Sequence, residues 1–284
     1  MDMKSFFMYR HDQYLKKVSD NPGSLRPHKI KSIYSILTSF LILIKNEKFN
    51  EGAKYIITGI LNFINHQKIL DKSGKNNCPL CKQNNNQFIH SSNHLQFAFF
   101  SICPWCSSRS RHRGLYFLYN QLFTNLMKKI KILHFAPELV FLEFFKNNDK
   151  ITYHTTDLNS VDVDYPGVDI QNIKMADETY DYILCNHVLE HIKEDSLGLQ
   201  EIHRLLKYDG YAIITVPGDF RRYKTINYKS ISPNGHYRDY GYDLLMKLQR
   251  YFNTVQFLDL SKFDKKSMHG IRNYELVFIL RKTI

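Results

Sequence analysis

The sequence lacks the segments that direct a chain into or across a membrane. Its first residues, MDMKSFFMYRHDQ, have neither the basic start and long apolar stretch nor the small-residue cleavage site of a secretory signal. The most apolar stretch, residues 33–44, is interrupted by Ser35, Thr38 and Ser39 and is shorter than the roughly 20 residues that cross a bilayer. We therefore expect a cytoplasmic protein without a transmembrane segment.

Cysteine and acidic residues are also scarce. Five cysteines in a chain expected in the cytosol argue against disulfide bonds. Lysine and arginine outnumber acidic residues 39 to 27, and the formal net charge of +12 favours an anionic partner such as RNA, a phosphorylated sugar or a membrane surface touched peripherally. A solvated basic surface without any such partner explains the same charge.

With 284 residues, the chain can form one full-sized core and still have roughly a hundred residues for an accessory unit. Apolar spacing predicts a helical hairpin over residues 30–44 and 49–64 and another helix over 115–126. From Ile130 onward, short apolar strands alternate with helical patterns, which is typical of a parallel sheet covered by helices. The predicted strands cover residues 130–135, 151–155, 180–185 and 211–216, and the predicted helices begin at Glu138 and cover 195–206.

The end of the chain predicts a helix over 242–252 and two strands, over 254–258 and 274–280, that complete the sheet as a hairpin. We therefore divide the chain into three predicted parts. They are a helical region (1–70), a small cysteine-bearing element (71–114) and an α/β domain (115–284).

Four of the five cysteines form two similar pairs, Cys78-Pro-Leu-Cys81 and Cys103-Pro-Trp-Cys106. Two such tight turns can point four thiolates at one ion, which predicts a structural zinc ribbon without an open coordination position. Arg109, Arg111, His112 and Arg113 follow at the head of a predicted helix, where cations oppose the helix dipole. We expect this basic cluster to meet an anionic substrate group or a carboxylate.

The segment from Lys131 to Glu138 has the pattern of a strand, a tight loop and the start of a helix. Doubly wound sheets bind nucleotide-like cofactors at the carboxyl ends of such strands. Candidate cofactor-binding residues lie after four successive strands: His134, Phe135, Ala136 and Glu138; Asp157 and Leu158; Asp169 and Ile170; Asn186 and His187. The Asp157 carboxylate suits ribose hydroxyls, while Asp169 and Ile170 suit an adenine.

Four motifs in this order, LHFAPE, TTDLN, ADETYDYILCNHVLEHI and EIHRLLKYDGYAIITVP, resemble class I S-adenosylmethionine (SAM)-dependent methyltransferases, particularly the type 11 group. The resemblance covers residues 130–284, and the CPLC and CPWCSSRSRHRGLYFLY segments resemble the front of a subgroup with the LHFAPE loop. It implies a Rossmann-like sheet with helices on both faces, bound SAM, and a role in surface polysaccharide or secondary metabolism. The chain departs from the family at its first loop, which contains no glycine and therefore either reshapes the pocket or weakens cofactor binding. The resemblance to the subgroup implies a reshaped pocket.

Methyl transfer from a sulfonium needs an aligned acceptor, exclusion of water and, for a hydroxyl acceptor, a proton acceptor. Candidate catalytic residues are His187, His191 and His236. We expect the protein to methylate an oxygen atom of an anionic small-molecule or glycan acceptor.

Two other functions fit the same sequence. The first is RNA methylation, with Phe97, Phe99, Phe100 and Trp105 available for base stacking beside the basic cluster, although these aromatics equally suit a small ribbon core. The second is a non-catalytic scaffold with a methyltransferase fold.

Overall fold

The computed structural model describes residues 49–92, 97–232, 234–264, 268–272 and 275–283. The first helix of the predicted N-terminal hairpin lies outside these residues. The chain divides into two compact units: residues up to Phe117 together with Phe263–Arg272, and Leu118–Lys262 together with Asn273–Ile284. No helix within the described ranges is long and apolar enough to cross a bilayer.

The first unit combines helices with two small antiparallel strand pairs. Its elements are α1 (Phe49–Ile64), α2 (His66–Leu70), β1 (Asn76–Asn77), β2 (Asn84–Asn85), β3 (Ile89–Ser92) and β4 (Phe97–Ile102). β1 pairs with β2 and β3 pairs with β4. The Asn62 amide joins α1 to β3 by donating to the His90 carbonyl and accepting from the His90 N–H, both at 2.8 Å. Cys78, Phe88, Cys103 and Trp105 form the unit's buried cluster.

The second unit contains a seven-stranded sheet. Its strands are β5 (Ile130–Phe135), β6 (Ile151–Asp157), β7 (Tyr165–Pro166), β8 (Tyr180–Asn186), β9 (Leu206–Thr215), β12 (Thr254–Asp259) and β13 (Leu276–Arg281), in the order β12-β13-β9-β8-β5-β6-β7. Strands β9, β8, β5, β6 and β7 are parallel. β13 and β12 follow as an antiparallel hairpin, which confirms the predicted end of the chain.

Helices cover both faces of this sheet, as predicted. They are α3 (Ser110–Phe123), α4 (Leu139–Lys146), α5 (Asp195–Leu205) and α6 (Leu244–Leu248), and a short strand pair, β10 (Ile226–Asn227) and β11 (Arg238–Asp239), lies between β9 and α6. On one face, Leu199 and Ile202 of α5 share a buried cluster with Leu133 of β5. On the other face, the ring of Phe123 meets that of Tyr182 at 4.9 Å.

Three predicted elements have different limits in the structure. α3 covers Ser110–Phe123 rather than residues 115–126. The last helix covers only Leu244–Leu248 rather than residues 242–252, because turns occupy the remainder. β9 begins at Leu206, before the predicted start at Tyr211, since residues 206–210 continue the strand through an irregular register beside Tyr180. Asp209 has φ +62° there, and its exposed, polar surroundings hid the strand in the sequence.

Candidate functional site

The carboxyl ends of three adjacent parallel strands bring most of the predicted cofactor residues together. In the register of the sheet, His134 of β5 lies beside Thr155 of β6, and Phe135 lies beside Cys185 of β8. The segments that follow these strands therefore leave the sheet along one edge. This edge is where doubly wound sheets bind their cofactors.

The glycine-free loop after β5 makes its tight turn at Ala136. Ala136 has φ +47°, and its N–H donates to the Thr156 carbonyl at 2.8 Å. The left-handed conformation costs an L-residue about 1–2 kcal/mol, and a methyl side chain is the smallest that a chiral residue can bring there. Alanine thus supplies the turn for which related loops use glycine.

A buried polar network lies under this loop. His134 is fully buried, with Nδ1 2.8 Å from the Tyr153 hydroxyl and Nε2 3.0 Å from Glu138 Oε2. Asn186 Nδ2 donates to Glu138 Oε2 at 3.2 Å and to the Tyr119 hydroxyl at 2.9 Å. The network therefore ties three predicted cofactor residues, His134, Glu138 and Asn186, to one another.

Burial and the Glu138 charge act together on the phenols of the network. Burial, reinforced by that carboxylate, raises the pKa of Tyr119 well above its ordinary value and raises the pKa of Tyr153 in the same way. Both phenols stay neutral as a result. Sequence reasoning missed Tyr119 and Tyr153, because each occupies a position that looks like ordinary aromatic core.

At the end of β6, Asp157 and Leu158 face different surroundings. Asp157 Oδ1 accepts the N–H groups of Asn159 and Ser160 at 2.6 and 2.7 Å, which folds the loop around the carboxylate. Oδ2 takes no part in these two bonds. Leu158 is 57% exposed and offers an apolar surface beside that carboxylate.

The pair predicted to hold an adenine is arranged less openly. Asp169 Oδ1 accepts the Gln171 backbone N–H at 2.9 Å and its side-chain amide at 3.1 Å. Ile170 is buried in the core beneath. Of this pair, Asp169 is the half-buried polar member and Ile170 supports the loop from below.

The loop after β8 holds the predicted catalytic histidines. His187 has φ +53°, and its Nδ1 lies 3.1 Å from Glu190 Oε1. His191 lies on a one-turn 3-10 helix (Leu189–His191), and its ring meets that of His236 at 4.7 Å. All three histidines thus gather around or beside Glu190, a fully buried residue that was not among the predicted site residues. The Glu190-His191 pair was visible in the sequence, but the approach of His236 was not.

Cys185, the next-to-last residue of β8, is fully buried in the core. Burial, with the nearby charges of Glu190 and Glu138, raises the pKa of its thiol well above the ordinary value. Cys185 is therefore a neutral core side chain.

The other four cysteines of the chain come together in the first unit. One sulfur from each of Cys78, Cys81, Cys103 and Cys106 lies within 4.8 Å of the others. The Cys78–Cys106 and Cys81–Cys103 sulfur distances are 3.7 and 3.8 Å. A tetrahedral zinc ion with bonds of about 2.3 Å needs sulfurs about 3.8 Å apart, so these thiols fit that ion.

The two cysteine turns share one backbone design. In each turn, the residue directly after the second cysteine has a left-handed φ near +60° and donates its N–H to the carbonyl of the first cysteine. These residues are Lys82 and Ser107. Burial opposes ionisation of Cys78, but hydrogen bonds from Cys103 and Cys106 lower its pKa well below the ordinary value.

Backbone carbonyls hold the last arginine of the basic cluster after the second turn. Arg113 is fully buried and donates to four backbone carbonyls, those of Ser101, Ser108, His269 and Gly270. These main-chain oxygens all belong to the first unit and hold the Arg113 guanidinium in place. Its guanidinium also lies 4.2 Å from the centre of the Phe88 ring.

Residues 131–214 match the family model Methyltransf_11, described as a methyltransferase domain. Among curated proteins, no relative matches the chain. The matched residues run from β5 to β9 and contain the loops after β5, β6 and β8.

Several solved methyltransferase structures are similar to the chain at low identity. A Burkholderia thailandensis 1,6-didemethyltoxoflavin-N1-methyltransferase with bound S-adenosylhomocysteine is 17% identical over 62% of this chain and 79% of that one, with a TM-score of 0.45. A Haemonchus contortus phosphoethanolamine N-methyltransferase in complex with SAM is 13% identical over 66% of this chain and 54% of that one, with a TM-score of 0.43. A putative methyltransferase from Bacillus halodurans is 13% identical over 59% of this chain and 98% of that one, with a TM-score of 0.41.

The family match covers the five parallel strands of the sheet, whereas the antiparallel hairpin of β12 and β13 lies outside it. Five parallel strands with an antiparallel hairpin at one edge form the Rossmann-like sheet expected of class I methyltransferases. Residues 131–214 therefore contain a methyltransferase domain on a Rossmann-like sheet, and the protein is a SAM-dependent methyltransferase.

Proposed function

We propose that the protein transfers the methyl group of SAM to an oxygen of a small-molecule or glycan acceptor, with the cofactor at the carboxyl ends of β5, β6 and β8. The observation that carries this proposal is the meeting of the Ala136 turn, the Asp157 carboxylate and the histidine-bearing loop after Asn186 at one sheet edge. A cofactor bound there would lie between a ribose-binding acid and a group of potential proton acceptors.

The cofactor's parts suit different residues of this edge. The small side chain of Ala136 leaves room for the methionine part of SAM. Asp157 is placed to accept ribose hydroxyls, and exposed Leu158 provides an apolar wall for the adenine. His134, Glu138 and Asn186 hold the loops in place from beneath through their shared hydrogen bonds.

In the proposed reaction the acceptor oxygen attacks the methyl carbon, the carbon–sulfur bond breaks, and S-adenosylhomocysteine leaves. The acceptor hydroxyl gives up its proton as the new carbon–oxygen bond forms, and His187, His191 or His236 is placed to receive it. The His191 side chain is 45% exposed, which leaves it open to an acceptor from solvent.

Calorimetric titration with SAM and S-adenosylhomocysteine tests the cofactor site. Asp157→Ala should weaken SAM binding by about 1–3 kcal/mol, the scale of a charged hydrogen bond. Asp162→Ala, a change of an exposed acid in the same loop, is the matched control and should leave binding unchanged.

A second variant separates cofactor contact from loop support. Asp157→Asn keeps an oxygen for the Asn159 and Ser160 N–H groups but loses the charge. Equal weakening by both Asp157 variants would assign the effect to the ribose, whereas weakening by the alanine variant alone would assign it to the loop. Absence of SAM binding by the unaltered chain would overturn the proposal and leave the scaffold function.

We also propose that Cys78, Cys81, Cys103 and Cys106 hold a structural zinc ion. The sulfur separations carry this proposal. Elemental analysis should find about one zinc ion per chain, because four thiolates complete a tetrahedral site. Cys78→Ser should lose the metal and Cys185→Ser, a change of the buried core thiol, should keep it. A metal-free chain with an intact fold would contradict the assignment.

RNA methylation is a second candidate function because two aromatic side chains of β4 are open to solvent. Phe99 and Phe100 are 43% and 50% exposed, whereas Trp105 is buried in the ribbon's core. Replacing both phenylalanines with alanine should weaken RNA binding if they stack on bases, and Phe63→Ala on exposed α1 is the control. Weak binding that does not change with salt would remove this candidate, since phosphate contacts release counterions.

A further inference from the structure

The loop after β8 and the loop before β11 bring one carboxylate and two imidazoles together. Glu190, His191 and His236 each offer one ligand atom, and the three atoms lie within 4.8 Å of one another. Glu190 is fully buried, while the His191 side chain is 45% exposed. The group therefore has a buried carboxylate at one end and a solvent-exposed imidazole at the other, where a cation can enter.

The orientation of His191 suits a metal ligand. Its Nδ1 lies 3.1 Å from the Gly235 carbonyl, so this nitrogen carries the proton and donates it. Its Nε2 then presents a lone pair on the side of Glu190, whose Oε1 is 3.9 Å away. Metal-bound histidines commonly donate their other ring N–H to a backbone carbonyl in this way, which fixes the ring.

Hydrogen bonds hold the two loops together independently of any ion. The Tyr237 N–H donates to the Glu190 carbonyl at 2.7 Å. The buried Arg238 guanidinium donates to the carbonyls of Leu189, Ile192 and Lys193 at 3.3, 2.8 and 2.6 Å. These bonds join the residues directly after His236 to the backbone around Glu190 and His191. The two loops therefore need little further ordering when an ion binds.

The backbone on both sides of His236 is fixed as well. The His236 N–H donates to the Ser232 hydroxyl at 3.0 Å, and the Ser232 N–H donates to the His236 carbonyl at 2.9 Å. His236 therefore approaches His191 on a closed turn rather than on a free chain.

We propose that Glu190, His191 and His236 form a site for a divalent transition-metal ion at the loop after β8. Two imidazoles and one carboxylate suit Mn²⁺, Fe²⁺, Co²⁺ or Zn²⁺, in contrast to the four thiolates of the first unit, which favour zinc. Three protein ligands leave coordination positions open for oxygen atoms.

The role of the ion rests on the proposed function. A bound divalent cation lowers the pKa of a coordinated hydroxyl, so an acceptor with an oxygen on the open positions would lose its proton more readily. Such an acceptor carries adjacent hydroxyls or a hydroxyl beside a carboxylate, which chelate a metal. His187 Nδ1, 3.1 Å from Glu190 Oε1, would hold that carboxylate in place. With His191 and His236 on the ion, His187 Nε2 would receive the proton of the acceptor hydroxyl.

Electron paramagnetic resonance titration of the zinc-loaded full chain with Mn²⁺ tests the site directly. The unaltered chain should bind about one Mn²⁺, and His191→Asn and His236→Asn should each weaken binding about tenfold or more. His203→Asn, a change of a half-buried histidine of α5 that packs on Phe252, is the matched control and should leave Mn²⁺ binding unchanged.

A SAM titration of the same proteins separates this proposal from the proposed function. SAM binding without Mn²⁺ binding, or Mn²⁺ binding unaffected by both asparagine variants, would overturn the metal site and leave the methyltransferase assignment in place. Mn²⁺ binding that depends on His191 and His236 supports the site, even if the chain fails to bind SAM.

Discussion

Asn186 offers the sharpest test of the buried network beneath the candidate site. Its side chain is 3% exposed, donates to Glu138 and Tyr119, and accepts the Thr215 hydroxyl at 3.1 Å. Asn186→Asp replaces the amide that donates to Glu138 with a second carboxylate, 3.2 Å from the first. The Thr215 and Tyr119 hydroxyls can still donate to the new side chain.

The expected loss of stability follows from these contacts. Removing a hydrogen bond to a charged group costs about 1.5–3 kcal/mol. Two like charges 3.2 Å apart repel by up to about 5 kcal/mol at an effective dielectric constant of about 20, although the pair can take up a proton to avoid part of this energy. We expect Asn186→Asp to lower the free energy of unfolding of the second unit by about 3–5 kcal/mol at pH 7.

A second substitution should restore part of this loss. Glu138→Gln removes one of the two charges and supplies an N–H donor for the new aspartate. In a double-mutant cycle the two changes should couple favourably by about 2 kcal/mol or more. Glu143→Gln, the same change at an exposed position of α4, is the control and should not couple to Asn186→Asp.

Urea unfolding can follow the two units separately. Circular dichroism reports on the whole chain, whereas fluorescence of Trp105, the sole tryptophan, reports on the first unit. The Asn186 variants should shift the circular dichroism transition and leave the tryptophan transition in place. If Glu138→Gln rescues Asn186→Asp no better than Glu143→Gln does, the contact between Asn186 and Glu138 carries no appreciable energy and the reasoning fails.

Two further predictions concern the same region. Ala136→Gly should change the free energy of unfolding by no more than about 1 kcal/mol, because relief of the left-handed strain is offset by the freedom of glycine in the unfolded chain. Ala136→Val should lower the free energy of unfolding by more than that and weaken SAM binding in calorimetry. Equal SAM binding by both variants would show that the turn does not touch the cofactor. The raised pKa of Tyr119 means that its neutral phenol stabilises the folded chain below pH 10 and that this contribution is lost as the pH rises above that value. Between pH 9 and 11 the free energy of unfolding of Tyr119→Phe should therefore fall by about 1.4 kcal/mol less than that of the unaltered chain, and parallel pH profiles would contradict the assignment.

Local patterns in the sequence predicted the sheet and the cysteine turns well. The strands β5, β6 and β8 and the final hairpin were expected close to where they lie, because buried parallel strands are short, nearly continuous apolar runs. The limits of β9 and α6 were missed, since polar residues extend a strand there and turns shorten a helix where the apolar pattern continues.

The sequence by itself determined the succession of strands and helices along the chain, the two cysteine turns and the loops that follow each strand. These features depend on residues only a few positions apart. Only the tertiary structure decided that Asn186 reaches Glu138 and Tyr119, that Arg113 donates to backbone carbonyls, and that His236 meets Glu190 and His191. Those contacts join residues tens of positions apart or more, and no local pattern encodes them. They form because a buried polar group must find a hydrogen-bond partner, and the fold determines which one lies within reach.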